Sequence, residues 1–211
     1  MEFLKRSLLK AGFLSITALM SVNMVLAQDY PALEKAFSNS YAFERQGFYS
    51  KAIDEIKAVY YEQSYEVNVR LGWLNYQSGL FTESMAYYQK AIALMPHSIE
   101  ARLGLALPSS AMGNWALVID QYRQILAMDP NNYTVNYRMG LIYFGHEDYD
   151  TALPYFEKIA NMYPFDYNAV INYAWTDYYV GKLREAKVLF YKALLIKPED
   201  QSARQGLTLI K

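Results

Sequence analysis

From Tyr65 to Pro96 the apolar positions fall into two amphipathic helical patterns, separated by a break at Ser78 and Gly79. Leu71, Leu74 and Ser78 recur at helical spacing with the small Gly72 beside them. Ser84, Tyr88 and Ala91 carry the same period after the break. Pro96 has no N–H to give a helix and closes the second pattern just ahead of it. The two-helix unit returns three more times downstream.

Punctuation alone gives the period. Pro96, Pro130, Pro164 and Pro198 stand about 34 residues apart. The apolar register agrees with it. A small residue recurs in the first helix at Gly72, Ala106, Gly140 and Ala174. An aromatic recurs in the second helix at Tyr88, Tyr122, Phe156 and Phe190. Ser84, Val118, Ala152 and Ala186 open that helix, and Ala91, Ile125, Ile159 and Ala193 follow two turns later. Turn glycines occupy Gly79, Gly113 and Gly181, where a positive φ costs them little; the unit between the last two has Glu147 there, with Gly145 two residues earlier.

This pattern resembles the tetratricopeptide repeat family over many positions at once. The resemblance implies an all-α, right-handed superhelical solenoid of about five helical hairpins plus a C-terminal capping helix. Small residues let the two helices of a hairpin approach, and the aromatic fills the wedge between hairpins. No single hairpin can bury its apolar face, so the units must stack. The expected repeats cover about 33–64, 65–98, 99–132, 133–166 and 167–198, with 199–211 as the cap. The first is degenerate: Gly47 is its turn glycine, and Ser40, Ala52, Ile56 and Val59 take its small and apolar sites, but no proline closes it. Asp200 is the expected N-cap of the last helix. Pro108 falls inside a first helix, where a lost hydrogen bond and a ring clash predict a kink or an early break. Pro154 lies nearer a helix start and is expected to cost less.

Residues 1–27 carry Lys5, Arg6 and Lys10 and then an apolar run from Ala11, with Val25 and Ala27 ahead of Gln28. This is the pattern of a secretory signal peptide cleaved after Ala27. The alternative is a retained anchor, but Ser15, Thr17, Ser21 and Asn23 make the run polar for a span. Export to a bacterial periplasm or beyond follows, with no stable membrane span after cleavage. The chain has no cysteine, so it relies on no disulfide and no thiolate chemistry. The precursor carries a formal charge of −1, and without the leader 17 basic and 20 acidic side chains remain. That balance argues against a nucleic-acid surface.

Carried onto this chain, the family's concave face comprises Arg70, Trp73, Tyr76, Leu103, Leu107, Tyr137, Arg138, Leu141, Phe144, Asn172, Trp175, Tyr178 and Tyr179. It is aromatic and mostly uncharged. The chemistry suits a protein or peptide partner pressed against Trp73, Tyr137 and Trp175 and oriented by Arg70 and Arg138. Against this, Tyr accounts for 21 of 211 residues, so some of these rings are expected simply to pack. Some family members grip a peptide carboxylate with lysines and asparagines on this face. Val69 and Trp73 stand where that clamp needs polar groups, so an apolar contact is expected instead. The alternatives are a glycan stacked on the rings and a homo-oligomer using the same surface or the open end of the first repeat.

No catalytic motif competes. His97 and His146 lie in or near turns of separate repeats, and Asp148 beside His146 reads as an N-cap. There is no phosphate-binding glycine loop, HExxH or GxSxG. A non-enzymatic scaffold without cofactor or metal is the expectation.

Overall fold

The computed structural model describes residues 29–210, so the expected signal peptide lies outside the described residues. Among the described residues there are eleven helices and no strand: α1 (Tyr30–Arg45), α2 (Tyr49–Ala58), α3 (Tyr65–Gln77), α4 (Phe81–Leu94), α5 (Ile99–Ala111), α6 (Trp115–Met128), α7 (Tyr133–Gly145), α8 (Tyr149–Met162), α9 (Tyr167–Tyr179), α10 (Leu183–Ile196) and α11 (Gln201–Leu209). Each helix packs on the next, and first helices also touch across hairpins, as α3 does with α5 and α9 with α11. The result is an α-solenoid. None of these helices is long and apolar enough to cross a membrane.

A ladder of caps starts the first helices. The side chains of Ser64, Ser98, Asn132, Asp166 and Asp200 accept from the backbone N–H of Val67, Ala101, Val135, Ala169 and Ala203. Each thereby satisfies one of the N–H groups that the first turn leaves without a partner. From Ser98 on, each cap stands two residues after one of the periodic prolines. One helix therefore stops and the next starts within four residues. Between the helices of a hairpin, Gly47, Gly79, Gly113 and Gly181 take φ of 72–84°, and Glu147 takes 60° in their place.

The core is a stack of wedges. Tyr88, Tyr122, Phe156 and Phe190 are all buried, as are the small residues flanking them in sequence register. The Tyr88 ring lies between two hairpins: a methyl group added to Gly72 would fall 2.9 Å from it, and one added to Gly104 on the next first helix only 2.1 Å. Phe190 is gripped in the same way: a methyl group added to Gly206 of α11 would fall 2.2 Å from it, and Trp175 of its own hairpin packs edge-on at 5.0 Å. The capping helix therefore covers the last wedge. Burying such a ring stabilises by about 3 kcal/mol, shared between two repeats.

Pro108 does not break its helix. α5 has 13 residues, the same as α3, α7 and α9. Proline removes the bond that would reach the carbonyl of Gly104, but it sits in the last turn, where little helix remains to disrupt. Ser109 and Ser110 donate their hydroxyls to the carbonyls of Leu105 and Leu107, and the carbonyl of Pro108 itself accepts from Met112.

One buried position is chemically mismatched. Asn75 and Ser109 occupy the same register in α3 and α5, and each donates to the carbonyl one turn earlier, at Leu71 and Leu105. In α9 that register holds Asp177, wholly buried with neither carboxylate oxygen hydrogen-bonded. An ionised carboxylate has no proton to donate to the Tyr173 carbonyl. Burial pushes the Asp177 pKa up to about 6, Lys182 opposes the rise, and Glu185 and Glu157 add to it. Because the folded value exceeds the unfolded one, folding is favoured by acid here. The penalty is absent below pH ~4, grows between ~4 and ~6, and is complete above, at about 3 kcal/mol. Asp177→Asn supplies the missing donor. It is expected to raise the melting temperature by several degrees at pH 7.5, with the gain shrinking toward pH 4; a gain independent of pH in thermal melts contradicts the assignment.

Candidate functional site

The first helices α1, α3, α5 and α7 line an open cavity of about 560 Å³. Five of the thirteen inner-face residues line it: Arg70, Trp73, Leu103, Leu107 and Arg138. Val69, Phe37, Tyr41, Glu44, Tyr65, Glu66, Glu100 and Thr134 complete the wall, with Gly104 and the Tyr88 ring beneath. The depth has a local cause. Arg70, Gly104, Arg138 and Asn172 share one register, and only α5 has no side chain there. The bare Gly104 lets Tyr88 form part of the floor, and burial pushes that phenol well above its ordinary pKa.

Arg70 is not a free cation. It is buried, its Nη1 donates to Glu44 at 2.6 Å, and Nε and Nη2 both donate to Ser40 Oγ at 3.1 and 3.0 Å. Its guanidinium also lies 3.9 Å from the centre of the Tyr41 ring. Glu44 is shared, since its second oxygen accepts from the Trp73 indole at 2.5 Å. Arg70 therefore fastens α1 to α3 and holds Trp73 in place through Glu44, which corrects the expectation that it orients a partner. Arg138 is different: it is half-buried, donates one bond at 3.1 Å to the Tyr122 hydroxyl, and has no carboxylate partner among the described residues.

Two carboxylates one repeat apart mark the edge. Glu66 accepts from Ser64 Oγ at 3.0 Å, and Glu100 accepts from the Tyr65 hydroxyl at 3.1 Å. That hydroxyl also pairs with Ser98 at 2.6 Å. Burial raises the Tyr65 pKa; the Ser98 bond pulls it partly back, and the Glu100 charge adds to the rise. Each bond engages one carboxylate oxygen and leaves the other available at the wall. The cavity thus pairs apolar sides with an acidic edge and one unpaired guanidinium.

The other eight expected residues lie elsewhere. Tyr76 is half-buried between Trp73 and Phe81, at 6.0 and 5.9 Å. Tyr137 stacks on Tyr133 at 6.0 Å and accepts a long hydrogen bond from Asn172. Leu141 is exposed and lines a separate hollow with Trp115 and His146. Trp175 donates its indole N–H to Ser202 of α11 at 2.8 Å, so it is committed to the capping helix rather than to an open groove. Phe144, Tyr149, Trp175, Tyr178 and Tyr179 form one aromatic cluster, in which Tyr149 stacks on Tyr179 at 4.4 Å. The inner face is therefore two districts, a hollow one toward α1 and a filled one toward α11. Sequence reasoning missed Phe37, Tyr41 and Glu44, because the degenerate first repeat offered no register for its inner face. It also missed Glu66, Glu100 and Thr134, although their 34-residue spacing was visible.

Comparison with known proteins agrees with this architecture. Residues 65–97 and 110–167 match family models described as tetratricopeptide repeat. A tetratricopeptide repeat protein from Parabacteroides merdae superposes with a TM-score of 0.71 at 20% identity, over 85% of this chain and 72% of that one. A crystal structure of MamA protein superposes with a TM-score of 0.68 at 21% identity, over 80% and 93%. Human protein O-mannosyl-transferase TMTC1 is 28% identical over 124 residues, 59% of this chain but only 14% of that protein. Residues 65–97 and 110–167 are thus tetratricopeptide repeats by sequence, set in an α-solenoid.

The Arg70–Glu44 pair offers a direct check on the site's construction. Glu44→Ala leaves a buried guanidinium without its counter-charge and is expected to cost about 3 kcal/mol in denaturant unfolding. Adding Arg70→Met is expected to recover much of that loss. A double variant as unstable as the single one contradicts the role given to the pair.

Proposed function

We propose that this protein is a non-enzymatic scaffold of the bacterial envelope, exported by the leader at 1–27, which binds a segment of another protein in the cavity between α1 and α7. The observation that carries the reading is the cavity itself: about 560 Å³ walled by Trp73, Val69, Leu103 and Leu107. The size and mostly apolar lining match those of ligand sites that bury an anchor side chain. The mechanism is burial of an apolar partner residue against Trp73, Leu103 and Leu107. The carboxylates of Glu66 and Glu100 favour a basic neighbour on the same segment, and Arg138 can meet a carbonyl or carboxylate further along. An extended peptide with an apolar residue beside a lysine or arginine satisfies all three.

The likeness to a mannosyl-transferase covers only 14% of that protein. His97 and His146 remain in separate turns, and no group of three or more metal-ligating side chains gathers among the described residues.

In-cell crosslinking from a photoreactive residue tests the reading. Positions 103 and 107 are expected to capture a protein, while Leu141, in its separate hollow, and Gln89, on the outer face of α4, are expected not to. A glycan adduct at 103 or 107 transfers the site to sugar recognition. Labelling no stronger than from Gln89 removes the cavity from consideration.

A further inference from the structure

The outward row of α10 is unlike that of its counterparts. Val188, Tyr191 and Leu195 are exposed, Leu195 by 77%, and stand on the side opposite the buried Ala186, Phe190 and Ala193. The 34-residue register puts Gln89, Arg123 and Glu157 at the place of Tyr191. It puts Ala93, Ala127 and Asn161 at the place of Leu195. All six of these are exposed too, so α4, α6 and α8 also show this face to solvent, and of these four helices α10 alone makes it large and apolar.

The spacing from Val188 to Tyr191 to Leu195 is three then four residues, the seam by which one helix packs along another. A seam needs a partner helix, and its flanks say which. Glu185 and Lys192 stand seven residues apart on one side of the row, and neither forms an ion pair within its own chain among the described residues. In an antiparallel crossing of two α10 helices, Val188 of each copy meets Tyr191 of the other. Lys192 of each then lies beside Glu185 of the other, so the face complements itself about a two-fold axis. A parallel crossing sets Lys187 against Lys192 and is disfavoured.

We infer that the outward face of α10 is a docking site for a second copy of this chain, in an antiparallel, two-fold arrangement. The contact is independent of the cavity and leaves it open in both copies. Three apolar side chains from each copy make an interface below the roughly 1,200 Å² of standard stable complexes, so the pairing depends on concentration.

Sedimentation velocity over a roughly hundredfold concentration range tests it. The sedimentation coefficient is expected to rise toward that of a dimer, and Tyr191→Asp, an exposed change that leaves the helical circular dichroism intact, is expected to hold the protein monomeric. E185K and K192E are each expected to weaken the dimer a few-fold, and the double swap E185K/K192E to restore it. A protein monomeric throughout, a dimer indifferent to Tyr191→Asp, or a double swap as weak as the two single changes combined overturns the inference.

Discussion

An aromatic ring that belongs to two hairpins at once holds this molecule together. Tyr88 presses on Gly72 of its own hairpin and on Gly104 of the next, so neither hairpin can bury the ring alone. The same arrangement recurs to Phe190, where α11 supplies Gly206 in place of a further repeat. Stability in such an array is a sum over neighbours, and an end without a cover leaves half a wedge in water. The short α11 answers that need at one end. At the other, α1 and α2 close the stack through Ile53 and Ile56, packed with Leu71 and Leu74.

The same constraint shapes the site. Because each first helix must lie close to a ring, the inner-face residue beside that contact is free to vary only where it points away. At Gly104 it is missing altogether, and the cavity opens there. Arg70, one repeat earlier, fills the equivalent space and spends its charge on Glu44 and Ser40. A hollow beside a filled neighbour is thus a consequence of one register position holding glycine in one repeat and arginine in the next. The acidic edge is set by a different ladder, in which the hydroxyls of Ser64 and Tyr65 fix the carboxylates of Glu66 and Glu100.

The periodic part of this architecture was legible in the amino-acid order. Prolines, turn glycines and wedge aromatics each report a backbone requirement that repeats every 34 residues, and all four rings are buried as that register implies. What does not repeat was not legible. Trp73 and Trp175 share a register, yet one is held by Glu44 at the cavity and the other is tied to Ser202 of the cap. Those partners lie 29 and 27 residues away in opposite directions, and no local pattern names them. Pro108 shows the reverse: the local rule was sound, but its cost depends on how much helix follows, and only three residues do.

The central claim is that a wedge ring couples two hairpins rather than completing one, and amide hydrogen exchange on Tyr88→Ala tests it most directly. Protection is expected to fall in α5 together with α3 and α4, while α9 and α10 keep theirs. A loss confined to α3 and α4, with α5 as protected as before, contradicts it.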